Sequence, residues 1–217
     1  MPWTSPLIRL LAILLLFAAS SALAETRVID GDTLEIDGVT YRLNGIDAPE
    51  HGQRCGDWNC GAEATLALAE LVRGHDVVCQ ALSKDRYGRV IATCFAGGQD
   101  LGAQMIDKGL AWAFLRYSDT YESDELVSRE KAEGVFSNDF TTPWDFRAER
   151  WSTAEAREKA APPGCPIKGN ISRNGQIYHA PWSPWYSRTR IDTSRGERWF
   201  CSEADAVAAG WRAPRWH

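Results

Sequence analysis

From Thr26 to Ile46 apolar and polar positions alternate, so that Leu34, Ile36, Val39, Tyr41 and Leu43 can share one core-facing side. Asp37-Gly38 interrupts the alternation with a two-residue hairpin signal. Residues 51–60 read as a loop containing Gly and Cys, and "GAEATLALAELVRG" as a helix of good formers closed by Gly74. "DVVCQAL" and "RVIATCF" are two strands around "SKDRYG". "LGAQMIDKG" is a short helix that Asp100 can cap, and "LAWAF" is a fifth strand. "SDELVSREKAEG" is a polar-faced helix with Ser123 placed to cap it, and "FTTPWDFRAER" an arm packing back on the domain. Five short strands with helices let into the series predict a mainly β, α+β fold, a five-stranded Greek-key barrel of OB type. An open α+β sheet is the runner-up.

The first 24 residues follow a different pattern. A short lead ending in Arg9, the ten-residue apolar run "LLAILLLFAA" and a small-x-small close at "SALA" predict an export signal cleaved after Ala24. The run is about half of what spans a bilayer, so no membrane segment is expected in the mature protein, which would be periplasmic or secreted. Residues 25–150 form the expected main domain, 151–164 a linker containing "EKAAPPG", and 165–217 a small C-terminal module rich in Trp, Tyr, Pro and Arg.

Six cysteines in an exported chain predict disulfides. Cys55 and Cys60 share a polar loop, Cys79 and Cys94 lie on strands that can face each other, and Cys165 and Cys201 bracket the last segment. Zinc is disfavoured, since there is no CxxC and the four His lack ligand spacing. Residues 25–150 hold 13 Lys and Arg against 23 Asp and Glu, whereas 151–217 hold 10 against 6. The front is therefore acidic, by a net −10, and the back mildly basic, at +4. An acidic front argues against tight, nonspecific nucleic-acid binding, though not against chemistry on one phosphate.

The acids of "VIDGDTLEIDGVTYRLNGIDAPE" need a reason, because clustered carboxylates on half-buried strands destabilise unless something positive lies among them. Asp32 and Asp47 are hard oxygen donors suited to a cation such as calcium. With the turn at Asp37-Gly38, Asp47 falls opposite Val28, which leaves Asp32 roughly 13 Å away in a flat hairpin. A shared ion therefore requires a sharp bend near Gly31. Arg42 points to the other side of its strand from Tyr41 and Leu43, and Arg89 starts a strand straight after "DRYG". Two such forks beside a metal can hold a phosphodiester, and Glu50, fixed by Pro49, can position or deprotonate an attacking water.

"VIDGDT", "YRLNGIDAPE", "DRYGR" and "GLAWAFLRY" resemble, in this order, the motifs of the staphylococcal nuclease (thermonuclease) family. The resemblance covers about residues 26–147. It implies an OB-fold barrel with calcium-dependent phosphodiesterase activity on DNA and RNA that leaves 3′-phosphates. It further implies Asp32 and Asp47 as carboxylate calcium ligands, with the Ala48 backbone carbonyl beside them. Arg42, Glu50 and Arg89 match the catalytic residues, and Tyr87 and Tyr117 match nucleotide contacts. Ala48 stands where the family's well-studied member has Thr, and Leu115 where a second nucleotide-facing tyrosine is expected. Residues 165–213 resemble small C-terminal modules of other exported bacterial proteins, sometimes called sunset domains. In this tail Arg interleaves with aromatics, which suits phosphate contact and base stacking, although the same aromatics can simply form a core. A monomer is expected. The alternative readings are a non-catalytic OB module that binds nucleic acid or another anion, and an envelope interaction protein acting through its tail.

Overall fold

Three short strands begin the chain in a computed structural model that describes residues 26–214: β1 (Thr26–Asp30), β2 (Thr33–Ile36) and β3 (Val39–Leu43). The expected export segment falls outside the described residues. Asp37 and Gly38 both take positive φ, 49° and 81°, which is the backbone a two-residue turn needs to match the twist of its strands. β2 and β3 pair in the expected register, Thr33 with Arg42 and Ile36 with Val39. The expected continuation towards Val28 is where the structure differs. The chain reverses at Gly31-Asp32, and Val28 pairs with Leu34, with an irregularity between Val28 and Asp30. The ribbon thus turns near Gly31 by folding back on itself, and Asp32 stands at the tip of that reversal. Leu34 and Leu43 enter the core, whereas Val39, at the hairpin end, stays 43% exposed.

β4 (Ile46–Asp47) follows, then α1 (Cys60–Val72), β5 (Val77–Lys84), β6 (Val90–Ala96) and β7 (Gln99–Asp100). α2 (Leu101–Asp107) is capped by Asp100, whose carboxylate accepts from the backbone of Gly102 and Ala103. The expected fifth strand shrinks to β8 (Trp112–Ala113), paired with β4. α3 (Glu122–Lys131) begins at Tyr121 and has no side-chain cap, so Ser123 does not act as one. The Tyr121 hydroxyl donates to the Asp100 carboxylate instead, at 2.9 and 3.0 Å. The main sheet runs β1-β2-β3-β6-β5, with β7 beside β6. Its one parallel pairing, β3 with β6, curls an otherwise antiparallel meander in the manner of an OB fold. The core is Leu34, Leu43, Ile46, Leu68, Met105, Ile106 and their neighbours, closed by α1 and α2.

The expected arm and linker are largely one helix. Thr142 caps α4 (Pro143–Arg157) by accepting from the Asp145 N–H, with Pro143 at the first turn, so the helix crosses the expected boundary at residue 150. Beyond it lie β9 (Ile167–Ser172), β10 (Gly175–His179), β11 (Arg198–Phe200) and α5 (Glu203–Ala208). The three strands form their own sheet, β10-β9-β11. Ile167, Tyr178, Phe200, Ala206 and Trp211 pack together beneath it, joined by Trp151 of α4. All three expected disulfides form: Cys55–Cys60, Cys79–Cys94 and Cys165–Cys201. Cys79 and Cys94 are direct partners in the β5/β6 register. Lys168, only 1% exposed, ties the module to the end of α4 through Glu158 at 2.6 Å and to the carbonyls of Tyr186 and Thr189.

Two glycines let backbone segments meet around the acidic loop. A Cβ on Gly31 would lie 2.7 Å from the Ala48 Cβ and 2.8 Å from that of Ala64. One on Gly61, at the start of α1, would lie 1.7 Å from the Glu50 carbonyl oxygen. Gly61→Ala is therefore expected to displace the Glu50 loop and destabilise the protein by about 2 kcal/mol or more, read from urea unfolding midpoints.

His179 is buried in the C-terminal module, with its ring nitrogens 3.3 Å from Ser183 Oγ and 3.2 Å from Asn170 Oδ1. Burial, helped by the charges of Lys168 and Arg188, pulls its pKa down to about 4. The unfolded chain takes up this proton from about pH 6.5 and the folded chain only near pH 4. The contribution of His179 should thus be complete above pH 7 and fall progressively between those values, against the opposite trend of the raised carboxyls of Asp32 and Glu50. Urea melts at pH 7.5 and 5 should therefore show the stability of the parent falling relative to that of His179→Gln as the pH is lowered.

Candidate active site

The reversal at Gly31-Asp32 and the short strand β4 bring Asp32 and Asp47 to the same arginine. Arg42, on β3, forms ion pairs with Asp32 Oδ2 through Nη1 and with Asp47 Oδ1 through Nη2, the second at 2.9 Å. The Ala48 N–H donates to Asp32 Oδ2 at 2.8 Å, and the Thr33 hydroxyl donates to its Oδ1. Asp47 is fully buried, and its carboxylate receives a second fork. Arg147, on α4, donates from Nη2 to Asp47 Oδ2 at 2.6 Å. Its Nη1 donates to Asp47 Oδ1 at 3.1 Å and to Glu50 Oε1 at 2.8 Å. Asp32, Arg42, Asp47, Arg147 and Glu50 thus form one continuous chain of charge-assisted hydrogen bonds and ion pairs.

Glu50 lies on a loop held from both sides. Its N–H donates to Gln53 Oε1, the Gln53 N–H donates to its carbonyl, and Gln53 Nε2 donates to the Thr141 carbonyl at 2.7 Å. Gln53 is 1% exposed and joins the Glu50 loop to the residue just before the α4 cap. The Cys55–Cys60 disulfide closes the same loop onto Trp112 and Val135.

The β3/β6 register sets Arg42 beside Ile91, so Arg89, two positions earlier on the neighbouring chain, faces the same side of the sheet. Its Nε donates to Asp85 Oδ2 at 2.7 Å, while the Asp85 carboxylate also accepts from the backbone of Tyr87 and Arg89. The Tyr87 ring lies beneath the Arg89 guanidinium, 5.2 Å from centroid to Cζ, and its hydroxyl accepts from Arg86. Tyr117 is 74% exposed and packs edge-on against Phe114. The Arg116 guanidinium lies 5.9 Å from its ring centroid, and Arg86 is within electrostatic reach.

Burial dominates the proton affinities. Desolvation lifts Asp32 to about 6 against the pull of Arg42, with the charge of Asp30 adding to the rise. It lifts Glu50 to about 7 against Arg147, while Asp32 and Asp47 push the same way as burial. For Arg89, burial works against the charge, but Asp85, Glu203 and Asp32 outweigh it and hold the guanidinium protonated. Glu203, on α5, is raised by burial and held back by Arg89, a hydrogen bond from Tyr178, Arg147 and Arg86. The C-terminal module therefore presents an acid to the arginine side of the site. Its Trp182 and Pro184 also lie against Gly52, two residues beyond Glu50.

The residues expected from sequence thus gather at one end of the barrel: Asp32, Arg42, Asp47 and Ala48 in direct contact, Glu50 joined to Asp47 only through Arg147, Arg89 and Tyr87 beside them, Tyr117 outside. Arg147, Gln53 and Glu203 were not expected. For Arg147 a sequence signal existed: Thr142-Pro143 followed by Asp145 is a helix start, and Trp144, Arg147 and Trp151 then share one face.

Two segments of the chain match known families. Residues 40–134 match the family model described as staphylococcal nuclease homologue, and residues 147–213 match one described as ArfC. The second match takes in α4, a wider segment than the 165–213 read as a sunset-like module. The succinoglycan biosynthesis protein ExoI of Rhizobium meliloti (strain 1021) is 42% identical over 101 residues, 43% of this chain and 53% of that protein. The chain thus spans about half of that relative's length. A micrococcal nuclease of Shigella flexneri is 31% identical over 140 residues, covering 56% of this chain and 77% of the relative. An endonuclease of Escherichia coli is 32% identical over 133 residues, 56% of this chain and 81% of its own length. Matching a family model over residues 40–134, and such relatives across most of their length, the chain belongs to the staphylococcal nuclease homologue family.

Proposed function

We propose that the protein is an exported, calcium-dependent nuclease that hydrolyses DNA and RNA to 3′-phosphate ends. Family membership makes it a hydrolase of phosphodiester bonds. The observation that supports the finer reading is the pairing of Arg42 with the buried Asp47, to which Glu50 is joined through Arg147, with Arg89 on the same side of the sheet.

Among the described residues no cluster of three His, Cys, Asp or Glu is arranged to hold a metal by itself. The donor chemistry nonetheless fits calcium: Asp32 and Asp47 are buried carboxylates, and Ala48, whose N–H donates to Asp32, would add its carbonyl oxygen as a third hard donor. Calcium bound there would supply positive charge beside the phosphate. Arg42, fixed by two carboxylates, and Arg89, fixed by Asp85, bind the non-bridging oxygens and stabilise the charge that develops on them. Glu50, lifted to about 7 by burial, orients a water and takes its proton as the water oxygen attacks phosphorus in line. The bond to the 5′-oxygen then breaks. Tyr87, beside Arg89, and the exposed Tyr117 offer ring faces to nucleotide bases or sugars.

The protein is accordingly expected to cut heat-denatured DNA in millimolar calcium and to stop in excess chelator. Arg42→Ala should lower kcat by about 10²–10³-fold, the scale of removing one preorganised donor from a transition state. Folded, calcium-binding protein that cuts neither DNA nor RNA would leave the barrel as a binding module.

A further inference from the structure

α4 carries one stripe of side chains with three different destinations. Trp144 stacks on Phe114 at 5.3 Å and meets Trp112 edge-on at 6.5 Å, inside the barrel's aromatic cluster. Trp151 packs into the core of the C-terminal module and lies 6.5 Å from Trp182. Between them, at i+3 and i+7 spacing, Arg147 reaches into the acidic cluster. Beyond the end of α4, Glu158 takes the buried Lys168. The helix is pinned on both sides of its arginine, which ordinary surface arginines are not.

The charges define what that arginine does. Ionised, as a cation site requires, Asp32, Asp47 and Glu50 carry three negative charges, and Arg42 and Arg147 carry two positive ones. A divalent ion added to this set leaves an excess of positive charge in a largely desolvated site; with Arg147 removed, the same ion brings the set to neutrality. Both oxygens of Asp47 are already engaged by guanidinium N–H groups, two of them from Arg147. A cation taking Asp47 as ligand must displace that fork.

We propose that Arg147 is a tethered cation that competes with the divalent ion for Asp47 and Glu50, so that the seating of α4 and the C-terminal module sets how tightly the nuclease site takes its metal. This deepens, and rests on, the calcium-dependent reading above. The second family match begins at Arg147, outside the nuclease match, as expected of a device contributed by the C-terminal part of the chain.

The test is calorimetric titration of calcium into the full-length oxidised protein and its Arg147→Gln, Arg147→Lys and Trp151→Ala variants, with Asp47→Asn as the non-binding control. Arg147→Gln should bind calcium at least tenfold more tightly. Arg147→Lys, which keeps the charge and loses the fork, should stay within a few-fold of the parent. Trp151→Ala, which leaves the carboxylates untouched and loosens the helix, should tighten binding several-fold and stands in if Arg147→Gln does not fold. Tryptophan emission should shift on calcium addition in the parent and stay constant in Arg147→Gln. A merely structural arginine predicts the opposite sign, with weaker calcium binding in both Arg147 variants. Equal or weaker binding by folded Arg147→Gln overturns this inference and leaves the nuclease reading standing, whereas calcium binding by none of the proteins removes both.

Discussion

A carboxylate with no exposure to water sits at the centre of this molecule, and much of the site follows from what it requires. A buried charge persists only where opposite charge and hydrogen-bond donors meet it, and Asp47 has both from two directions. Arg42 reaches it from the adjacent strand, and Arg147 from a helix 100 residues further along the chain. The second contact binds the end of the barrel to the start of the C-terminal part. It also fixes Glu50, since one guanidinium nitrogen serves both carboxylates. The arrangement is pre-formed: each side chain of the cluster is held by a neighbour whose own position is fixed.

Close backbone approach makes this possible. The turn at Gly31 nests against Ala48 and Ala64, and α1 begins hard against the Glu50 carbonyl at Gly61. A larger residue at either point would separate the turn bearing Asp32 from the loop bearing Asp47 and Glu50. The Cys55–Cys60 bridge and the buried Gln53 then hold that loop on its far side. Small residues and a short covalent loop thus do for position what the arginines do for charge.

Features governed by neighbours in sequence were legible from it. The Asp37-Gly38 hairpin, α1 with its Gly74 terminus, α2 with its Asp100 cap and the Cys79–Cys94 cross-strand pair all rest on turn chemistry, capping or short-range pairing. The reversal at Gly31 was read as a bend, because alternation continues through it and does not say whether a strand curves or folds back. α4 was read as an arm and linker, although Thr142-Pro143 and the Trp144, Arg147, Trp151 spacing carry a helix signal. Among the site residues, Asp32, Arg42, Asp47, Glu50 and Arg89 stand within or beside short motifs. Arg147 has no such motif, and its role depends on a tertiary contact that local pattern does not encode.

The charge imbalance along the chain looks different once the contacts are known. A barrel at −10 beside a tail at +4 suggests a basic module gathering polyanions for an acidic one. Yet the tail buries Tyr178, Tyr186, Phe200 and Trp211 in its own structure and commits Lys168 to Glu158, so much of its aromatic and basic chemistry is spent internally. Positive charge at the site comes instead from single placed residues: Arg42 on β3 and Arg89 just before β6, Arg86 over Tyr87, and Arg147 between the carboxylates. A focused cluster of this kind sets the local potential felt by a phosphate far more than the sum over the surface does, because screening removes distant charges within about 10 Å. An acidic nuclease domain is thus no paradox. The acids nearest the site are locked to arginines, Asp32 and Asp47 to Arg42, Asp47 and Glu50 to Arg147 and Asp85 to Arg89, so the net charge of the whole barrel does not describe the potential there.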